Sequence, residues 1–332
     1  FKIFNKKFIF MKINSCIIGF GSIAAKNVLD PVMSKNYRYC THLQAIFKQR
    51  NLDLKLIFET SAKSRLAAKK MIKNIKVFEK IEKAMDIVKT IELLIITTPP
   101  DKRVEFIKKF PNIKSLIVEK PLGLNYLESE KFYKEIKKRN IKCTVNYWRR
   151  YVTQFKNLKN GYLKKILGNI QSVIAIYGNG IRNNGIHLID FLRFLFGEIS
   201  SVNFNYGYRS KESPIKNDLN IDFSGFFKSG IPFKFIPLDF NYYRDNGIKI
   251  IGEKGILSIL NDCRVMFLNK TRKNKGISNF KEVNFSKNYF MKTDYDLALL
   301  NLYKEIKMKD NSSSIENAIV NEKIVQTLFE RQ

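Results

Sequence analysis

The sequence has few cysteines and histidines, a single tryptophan and no long hydrophobic run. The two histidines are His42 and His187. The four cysteines are far apart and form no Cys-x-x-Cys pair, at Cys16, Cys40, Cys143 and Cys263. This spacing argues against a zinc site, and we expect no metal. Reduced cysteines are typical of a cytoplasmic protein, and no segment approaches the roughly 20 apolar residues of a membrane span, so we expect no membrane partner.

Acidic residues are also scarce, since 30 of them face 60 basic residues and leave a formal charge of +30. Such an excess could mark a protein that binds a polyanion. Most of the basic residues are lysines scattered through nearly every predicted helix, however, which is typical of solvated surfaces. We therefore expect no specific nucleic-acid partner, although the positive potential would help to hold the phosphates of a dinucleotide.

The composition is that of a globular protein, with 45% hydrophobic residues, 27 phenylalanines and 15 tyrosines. A chain of 332 residues suits two domains, each with its own core. We predict an N-terminal extension over residues 1–10, a dinucleotide-binding domain over 11–148 and a second domain over 149–332. The extension precedes Met11, and we expect no export, because Lys12, Asn14 and Ser15 interrupt any apolar segment of a signal peptide.

A glycine-rich segment, Gly19-Phe20-Gly21-Ser22-Ile23-Ala24, follows the first predicted strand, Lys12–Ile18. The first glycine would permit a tight turn, the second would let a pyrophosphate approach the backbone, and Ala24 would allow close packing of a helix on the strand. Free N–H groups at a helix N-terminus would then bind the phosphates. The alternative is an ordinary tight turn between a strand and a helix.

An acidic residue at the end of the second strand is expected to bind the adenosine ribose, and Glu59 is the candidate. It lies farther from the glycine turn than usual, which indicates an inserted segment over Asp30–His42. A ribose contact by Glu59 favours NAD, whereas a solvated carboxylate is equally compatible with the pattern. Residues beyond it could instead receive the 2′-phosphate of NADP, namely Ser61, Lys63, Ser64 and Arg65.

The segment Glu119-Lys120-Pro121 follows the apolar strand Ser115–Val118. Continuous apolar runs alternate with amphipathic helices up to Tyr147, which predicts a doubly wound parallel sheet of six strands. Ligands bind beyond the carboxyl ends of such strands, so Lys120 would point at bound cofactor and substrate. Thr98-Pro99 ends another strand, Leu93–Thr97, at the same edge. A solvated lysine at the strand end is the alternative for Lys120.

The second half differs in pattern. Turn signals separate successive strands from Ile199 to Phe285, which predicts a large, mostly antiparallel sheet in an α+β domain. An apolar helix ending near Phe196 opens with Asn183-Asn184-Gly185-Ile186-His187-Leu188-Ile189-Asp190. His187 and Asp190 are one helical turn apart, so both are expected to face the cleft.

With these motifs in place, the chain from Met11 onward resembles the Gfo/Idh/MocA family of oxidoreductases. The resemblance rests on Gly19-Phe20-Gly21, Thr98-Pro99, Glu119-Lys120-Pro121, Arg149-Arg150 and Gly185-Ile186-His187-Leu188-Ile189-Asp190 in this order. It implies a Rossmann domain followed by an open-faced sheet domain, with the active site between them. It also implies a homodimer or homotetramer formed through that sheet.

The resemblance implies that Lys120 contacts the substrate oxygen, that His187 is the acid/base and that Asp190 orients or assists them. An imidazole suits the removal of a hydroxyl proton, and an ammonium can stabilise the developing alkoxide. The predicted substrate contacts are Lys120, Arg150, Asn183 and His187. The predicted cofactor contacts are Gly19, Phe20, Gly21, Ser22, Ile23, Glu59, Thr98, Pro99, Glu119 and Lys120. The cofactor would be NAD or NADP, and we favour NAD.

Two departures from the family pattern matter. Inositol dehydrogenase relatives carry an aspartate where this chain has Asn183, and an amide cannot act as a base. Many relatives carry a histidine where this chain has Arg103, which could serve an anionic group. We predict an NAD(P)-dependent dehydrogenase or reductase acting on a secondary alcohol or ketone of a sugar, cyclitol or nucleotide-linked sugar. The alternative is a catalytically silent dinucleotide-binding sensor or scaffold. We interpret His42 as structural or exposed.

Overall fold

The computed structural model of the chain describes residues 12–308 and 311–331. These residues contain two large β-sheets, one of six strands and one of eight. The predicted N-terminal extension over residues 1–10 lies outside the described residues. No helix in the described part of the chain is both long and apolar enough to cross a membrane. Within the same residues, no cluster of histidine, cysteine, aspartate and glutamate side chains is arranged to hold a metal ion.

The first sheet has six parallel strands and confirms the predicted doubly wound architecture. Its strands are β1 (Ile13–Ile18), β2 (Leu52–Phe58), β3 (Lys76–Phe78), β4 (Leu93–Ile96), β5 (Ser115–Val118) and β6 (Lys142–Val145). Their order in the sheet is β3-β2-β1-β4-β5-β6. All four residues of β4 are fully buried, as expected of a central strand covered on both faces. The order reverses between β1 and β4, where such sheets bind ligands.

The second sheet has eight strands and confirms the predicted large, mostly antiparallel arrangement, since only β7 and β10 pair in parallel. Its strands are β7 (Ile170–Tyr177), β8 (Ile199–Arg209), β9 (Leu219–Phe227), β10 (Pro232–Pro237), β11 (Gly247–Gly252), β12 (Gly255–Leu260), β13 (Val265–Lys273) and β14 (Lys281–Lys292). Along β7 burial alternates, so that Val173, Ala175 and Tyr177 face the core.

The helices cover the parallel sheet and one side of the antiparallel sheet. They are α1 (Pro31–Asn36), α2 (His42–Lys48), α3 (Ala62–Met71), α4 (Met85–Val88), α5 (Arg103–Lys109), α6 (Tyr126–Lys138), α7 (Thr153–Asn157), α8 (Leu163–Leu167), α9 (Ile186–Phe196), α10 (Ala298–Lys304) and α11 (Ile315–Glu330). The C-terminal helix α11 connects the two units: Glu322 accepts a hydrogen bond from the Leu122 N–H group, and Asn321 accepts one from Arg193 of α9.

Two helical segments are irregular. The helix expected directly after the glycine turn is replaced by turns and a short 3-10 segment, Lys26–Leu29, before α1 begins at Pro31 with Asp30 as its N-cap. The second is the segment from α7 to α8, which is kinked where Gly161 has a positive φ of 102°. The first sheet ends at Val145 and the second begins at Ile170, while the domain limits of 11–148 and 149–332 stay predictions.

Candidate functional site

The glycine turn lies at the carboxyl edge of the parallel sheet. Gly19 has a positive φ of 90°, and a Cβ there would lie 2.8 Å from the Thr98 side chain, so only glycine fits. A Cβ on Gly21 would meet no protein atom, which leaves open space beside the backbone. The Phe20 side chain is buried in the core, and its N–H group donates to the Glu59 carboxylate.

The backbone after Gly21 forms one helical turn, in which the N–H groups of Ala25 and Lys26 both donate to the Gly21 carbonyl. In the described residues, no acceptor is found for the N–H groups of Ser22 and Ile23. Unpaired N–H groups at the start of a helical turn, beside open space, are the usual binding site for a phosphate. This turn therefore fits a dinucleotide pyrophosphate.

Glu59 directly follows β2, next to this turn. Its Oε2 atom accepts from Phe20 N–H at 2.7 Å, and its Oε1 atom accepts from Ser61 N–H at 2.7 Å. The carboxylate lines a cavity of about 330 Å³ together with Gly19 and Thr98. The Arg65 guanidinium donates to the carbonyls of Glu59 and Thr60 and so is already engaged.

Thr98 and Pro99 follow β4 at the same edge. The Thr98 hydroxyl is buried and has no hydrogen-bond partner among the described residues, which fits a site completed by a bound molecule. Pro99 is exposed at the start of a short 3-10 turn. Arg103 does not serve an anionic ligand as we had expected. It is buried, burial lowers its pKa to about 10, and its guanidinium donates to the carbonyls of Thr98, Pro121 and Leu122.

Glu119 belongs to a buried hydrogen-bond network. Its Oε1 atom accepts from His42 Nε2 at 3.0 Å and from Asn146 Nδ2 at 2.7 Å, and His42 Nδ1 lies 2.8 Å from the Tyr303 hydroxyl. Burial alone would raise the Glu119 pKa, but His42, Asn146 and Lys120 together lower it. His42 is fully buried, so its interpretation as structural holds and the exposed alternative is wrong.

Lys120 extends from the end of β5 to the second unit. Its Nζ atom donates to the Asn183 backbone carbonyl at 2.5 Å and to the Asn183 Oδ1 atom at 3.2 Å. Burial lowers the pKa of Lys120, and the Arg149 cation lowers it further. The carboxylates of Glu119 and Asp218 raise this pKa, but the net shift is downward. The ammonium is therefore held at a fixed point on the cleft.

His187 lies in the first turn of α9 and lines the same cavity as Lys120 and Asn183, with a volume of about 340 Å³. Its imidazole packs edge-on against the Tyr147 ring, with centroids 5.7 Å apart. Burial lowers its pKa well below the usual value, and the cations of Lys120 and Arg149 add to this effect. The imidazole is therefore neutral at physiological pH.

Asp218 fixes the turn that carries Asn183. Its carboxylate accepts hydrogen bonds from the N–H groups of Arg182 and Asn183 and from the Ser213 hydroxyl. Gly180 has a φ of 83°, and a Cβ there would come within 1.9 Å of this carboxylate. The sequence interpretation missed Asp218 because it is 35 residues from Asn183 and lies outside every motif.

Asp190 and Arg150 do not occupy the positions we expected. Asp190 is fully buried and accepts two hydrogen bonds from the Arg150 guanidinium, at 2.7 and 2.9 Å, and a third from Asn321. The expectation that Asp190 faces the cleft beside His187 is therefore wrong. Arg150 is likewise engaged in the core, and its neighbour Arg149 lines the cavity instead.

Other charged side chains line the same cavity. Arg149 and Trp148 come from the 3-10 turn after β6, and Arg244 and Asp262 come from loops of the antiparallel sheet. Arg244 pairs with Asp262 at 2.9 Å. No sequence pattern indicated Arg244 or Asp262. The Arg149-Arg150 pair was recognised as part of the family pattern, but the sequence did not show which of the two arginines lines the cavity.

Comparison with known families agrees with this architecture. Residues 13–147 match the oxidoreductase family with an NAD-binding Rossmann fold, and residues 171–258 match the GFO/IDH/MocA C-terminal domain. The chain belongs to the Gfo/Idh/MocA oxidoreductase family. The resemblance inferred from the motifs is thereby confirmed.

Individual relatives are distant. Oxidoreductase P35 of Formosa agariphila is 25% identical over 196 residues, a match that spans 51% of this chain and 59% of that protein. A crystal structure described as a putative NADPH-dependent oxidoreductase, from Desulfitobacterium hafniense, has a TM-score of 0.74 at 17% identity and covers 97% of this chain and 96% of its own. The super-repressor mutant of Gal80p from Saccharomyces cerevisiae has a TM-score of 0.73 at 14% identity and covers 96% and 95%. At these identities the two structures establish only the fold.

Proposed function

We propose that this oxidoreductase transfers a hydride between NAD(P) and a secondary alcohol or ketone of a sugar-like molecule. The observation that carries the proposal is the meeting of Lys120 and His187, from separate units, on one cavity of about 340 Å³. That volume suits a small polar substrate. The cavity adjoins the pyrophosphate turn, since Ile23 lines it.

The two basic side chains have complementary parts in this proposal. His187 is neutral and accepts the hydroxyl proton during oxidation, or returns it as an imidazolium during reduction. Lys120 donates a hydrogen bond to the substrate oxygen and stabilises negative charge as it develops there. Glu119, with His42 and Asn146 bonded to it, fixes the strand end from which Lys120 projects. Asp190 and Arg150 stabilise the fold behind α9.

The residues at the sheet edge fit a dinucleotide, whose nicotinamide supplies the hydride acceptor or donor. The N–H groups of Ser22 and Ile23 would bind the pyrophosphate, and the Thr98 hydroxyl would gain a partner. We favour NAD because the Glu59 carboxylate would accept hydrogen bonds from the ribose hydroxyls and would repel a 2′-phosphate. Arg65 supports the same choice, since its guanidinium is already engaged by backbone carbonyls.

Two further expectations belong to this proposal. We expect a homo-oligomer formed through the open face of the antiparallel sheet, which exposes aromatic side chains, Tyr206, Phe226, Phe285 and Phe290 among them. We also expect a cytoplasmic location, because the four cysteines are buried free thiols.

A silent dinucleotide-binding protein remains the second candidate, and Asn183 favours it. The amide occupies the position beside Lys120 where the family pattern supplies a carboxylate, so one proton acceptor is missing. A protein described as a transcriptional regulator, Gal80p from Kluyveromyces lactis, shares this fold. In this case the cleft would bind cofactor without turnover.

The experiment that tests the proposal is a panel of sugars, sugar acids and cyclitols assayed with NAD and NADP in both directions. We expect turnover that falls about 100- to 10,000-fold in Lys120→Met and His187→Gln, while NAD still binds. Lys114→Met is the matched control, because Lys114 precedes the same strand with its side chain 77% exposed. Tight NAD binding without turnover on any substrate would contradict the proposal and favour the silent protein.

A further inference from the structure

The Arg149 guanidinium is a buried cation with no ion-pair partner among the described residues, and the Asp262 carboxylate interacts with it only at longer range. The residue is only 3% exposed, and it stacks on Trp148 with its Cζ atom 4.5 Å from the ring centroid. In the part of the chain that the structure describes, its only side-chain hydrogen bond runs from Nε to the Cys263 sulfur at 3.2 Å. A neutral thiol is a weak acceptor, so the charge of Arg149 is not compensated there.

Two other buried arginines have their guanidinium groups satisfied within the protein. Arg150 forms a two-pronged ion pair with Asp190, and Arg103 donates to the backbone carbonyls of Thr98, Pro121 and Leu122. Arg149 has no carboxylate within ion-pair distance among the described residues. An unpaired buried charge is costly, and one that borders a cavity can gain a partner from a molecule bound there.

The remaining donors of Arg149 face the cavity. Its two terminal nitrogens have no acceptor in the described chain, yet neither is among the fully enclosed atoms that lack a partner. Since Arg149 lines the cavity, these nitrogens have their access through it. They present the planar fork that matches a carboxylate or a phosphate.

The charge balance of the cavity points the same way. Its lining carries three cations, Lys120, Arg149 and Arg244, against one carboxylate, Asp262, which Arg244 already binds. The Arg149 cation also lowers the pKa of Lys120 and His187, so an anion bound to Arg149 would relieve this repulsion. A neutral cyclitol would leave the excess positive charge of the cavity and the lowered pKa values of Lys120 and His187 unchanged.

We propose that the substrate carries an oxyanion group, a carboxylate or a phosphate, which Arg149 binds with both terminal nitrogens. The reacting hydroxyl then lies at Lys120 and His187, which line the same cavity as Arg149. The substrate class is therefore a sugar acid or a sugar phosphate rather than a neutral sugar. This inference rests on the proposed dehydrogenase function, because it assigns the substrate of that same site.

Matched pairs of ligands test the inference by calorimetry on the full chain saturated with NAD. The pairs are galacturonate with galactose, gluconate with glucitol, and glucose 6-phosphate with glucose. In at least one pair the anionic member should bind about ten to a hundred times more tightly, which is the worth of a charged hydrogen bond. A preference confined to the acids identifies a carboxylate, and one confined to the phosphate pair identifies a phosphate.

Variants locate the anion site. Arg149→Gln should abolish the preference, and Arg149→Lys should retain part of it, because the charge stays and the fork is lost. Arg50→Gln removes the same charge from an exposed position and should leave the preference intact. The affinity for NAD should be equal in all four proteins, and circular dichroism melts should show that each variant is folded.

Several results would overturn the inference. One is the absence of any preference in the wild-type pairs, and another is a preference that survives in Arg149→Gln or is lost equally in Arg50→Gln. A loss of NAD affinity in Arg149→Gln would assign the arginine to the cofactor instead. Turnover of neutral sugars that Arg149→Gln leaves unchanged would refute the anion site alone. An anion preference without hydride transfer would refute the dehydrogenase and leave the anion site standing.

Discussion

The Lys120 ammonium nitrogen lies 2.5 Å from the Asn183 backbone carbonyl oxygen, to which it donates a hydrogen bond. This contact joins the end of β5 in the parallel sheet to the turn that precedes α9 in the second unit. It positions the ammonium without neutralising it, because a carbonyl and an amide carry no net charge. The protonation of Lys120 therefore depends on its wider surroundings, and Asn183 is the residue through which that dependence can be changed.

Asn183→Asp should raise the pKa of Lys120. The amide Oδ1 atom lies 3.2 Å from Nζ, so the N183D carboxylate would form a close ion pair with the ammonium. An opposite charge at this distance shifts a pKa by about 1 to 3 units. The alkaline limb of the kcat/KM profile should move upward by a similar amount. Asn157→Asp, an exposed position, is the control and should not move that limb.

An unchanged alkaline limb in N183D would show that Lys120 does not control it. If the wild-type chain proves silent, N183D also tests the reason. Turnover gained by this single change would show that the missing carboxylate is the cause of the silence.

The sequence predicted the architecture because that information is local. The runs of apolar residues in β4 and β5 define a sheet buried on both faces, and the residue after β5 must then lie at its carboxyl edge. Lys120 could thus be located within the fold from its neighbours alone. The same holds for the turn at Gly19, whose geometry requires glycine.

The partners of the site residues could not be predicted, because they come from distant parts of the chain. His42 reaches Glu119 across 77 residues, and Asp190 reaches Arg150 across 40. In the 3-10 turn Trp148–Tyr151, successive side chains point in different directions, so only the packed structure shows that Arg149 lines the cavity. The one-turn spacing of His187 and Asp190 was misleading because α9 is buried on nearly every side.

Asp190→Ala should destabilise the protein without a direct effect on the chemistry. It leaves the Arg150 cation buried and unpaired, which typically costs about 3 to 5 kcal/mol. Urea unfolding should show that loss, and the KM of the folded enzyme should stay close to the wild-type value. Asp53→Ala is the matched control: it removes a carboxylate paired with Lys55 at the surface and should cost no more than about 1 kcal/mol.

The double variant Asp190→Leu with Arg150→Met should recover much of the lost stability, because it removes both buried charges together. An Asp190→Ala protein of unchanged stability that has lost kcat would instead support a catalytic role for this carboxylate.

The protonation of His187 should make stability depend on pH. Its pKa in the folded state is well below the usual value because of burial and the nearby cations, whereas the unfolded chain titrates near pH 6.5. Between these two values the unfolded state binds more protons, so stability rises with pH through that window and His187 contributes nothing further above it. The wild-type protein should lose up to about 1.4 kcal/mol per pH unit below 6.5 relative to His187→Gln.

The measurement is the free energy of unfolding of both proteins over a range from about pH 7.5 down to about pH 5. Comparison with His187→Gln cancels the titration of groups that the two proteins share. A difference that stays constant across the range would mean that His187 titrates normally in the folded protein.

Glu59→Gln should weaken the binding of NAD. With its oxygen facing the Phe20 N–H group, the amide keeps the hydrogen bond to the glycine turn, while the bond from Ser61 N–H and the negative charge are lost. NAD affinity should fall about tenfold or more, the worth of a charged hydrogen bond to the ribose, and NADP should be affected less because its 2′-phosphate is no longer repelled. Fluorescence titration with both cofactors measures the ratio. Glu92→Gln is the control, since Glu92 precedes β4 at the opposite edge of the sheet. Equal losses for NAD and NADP would show that Glu59 supports the turn and does not select the cofactor.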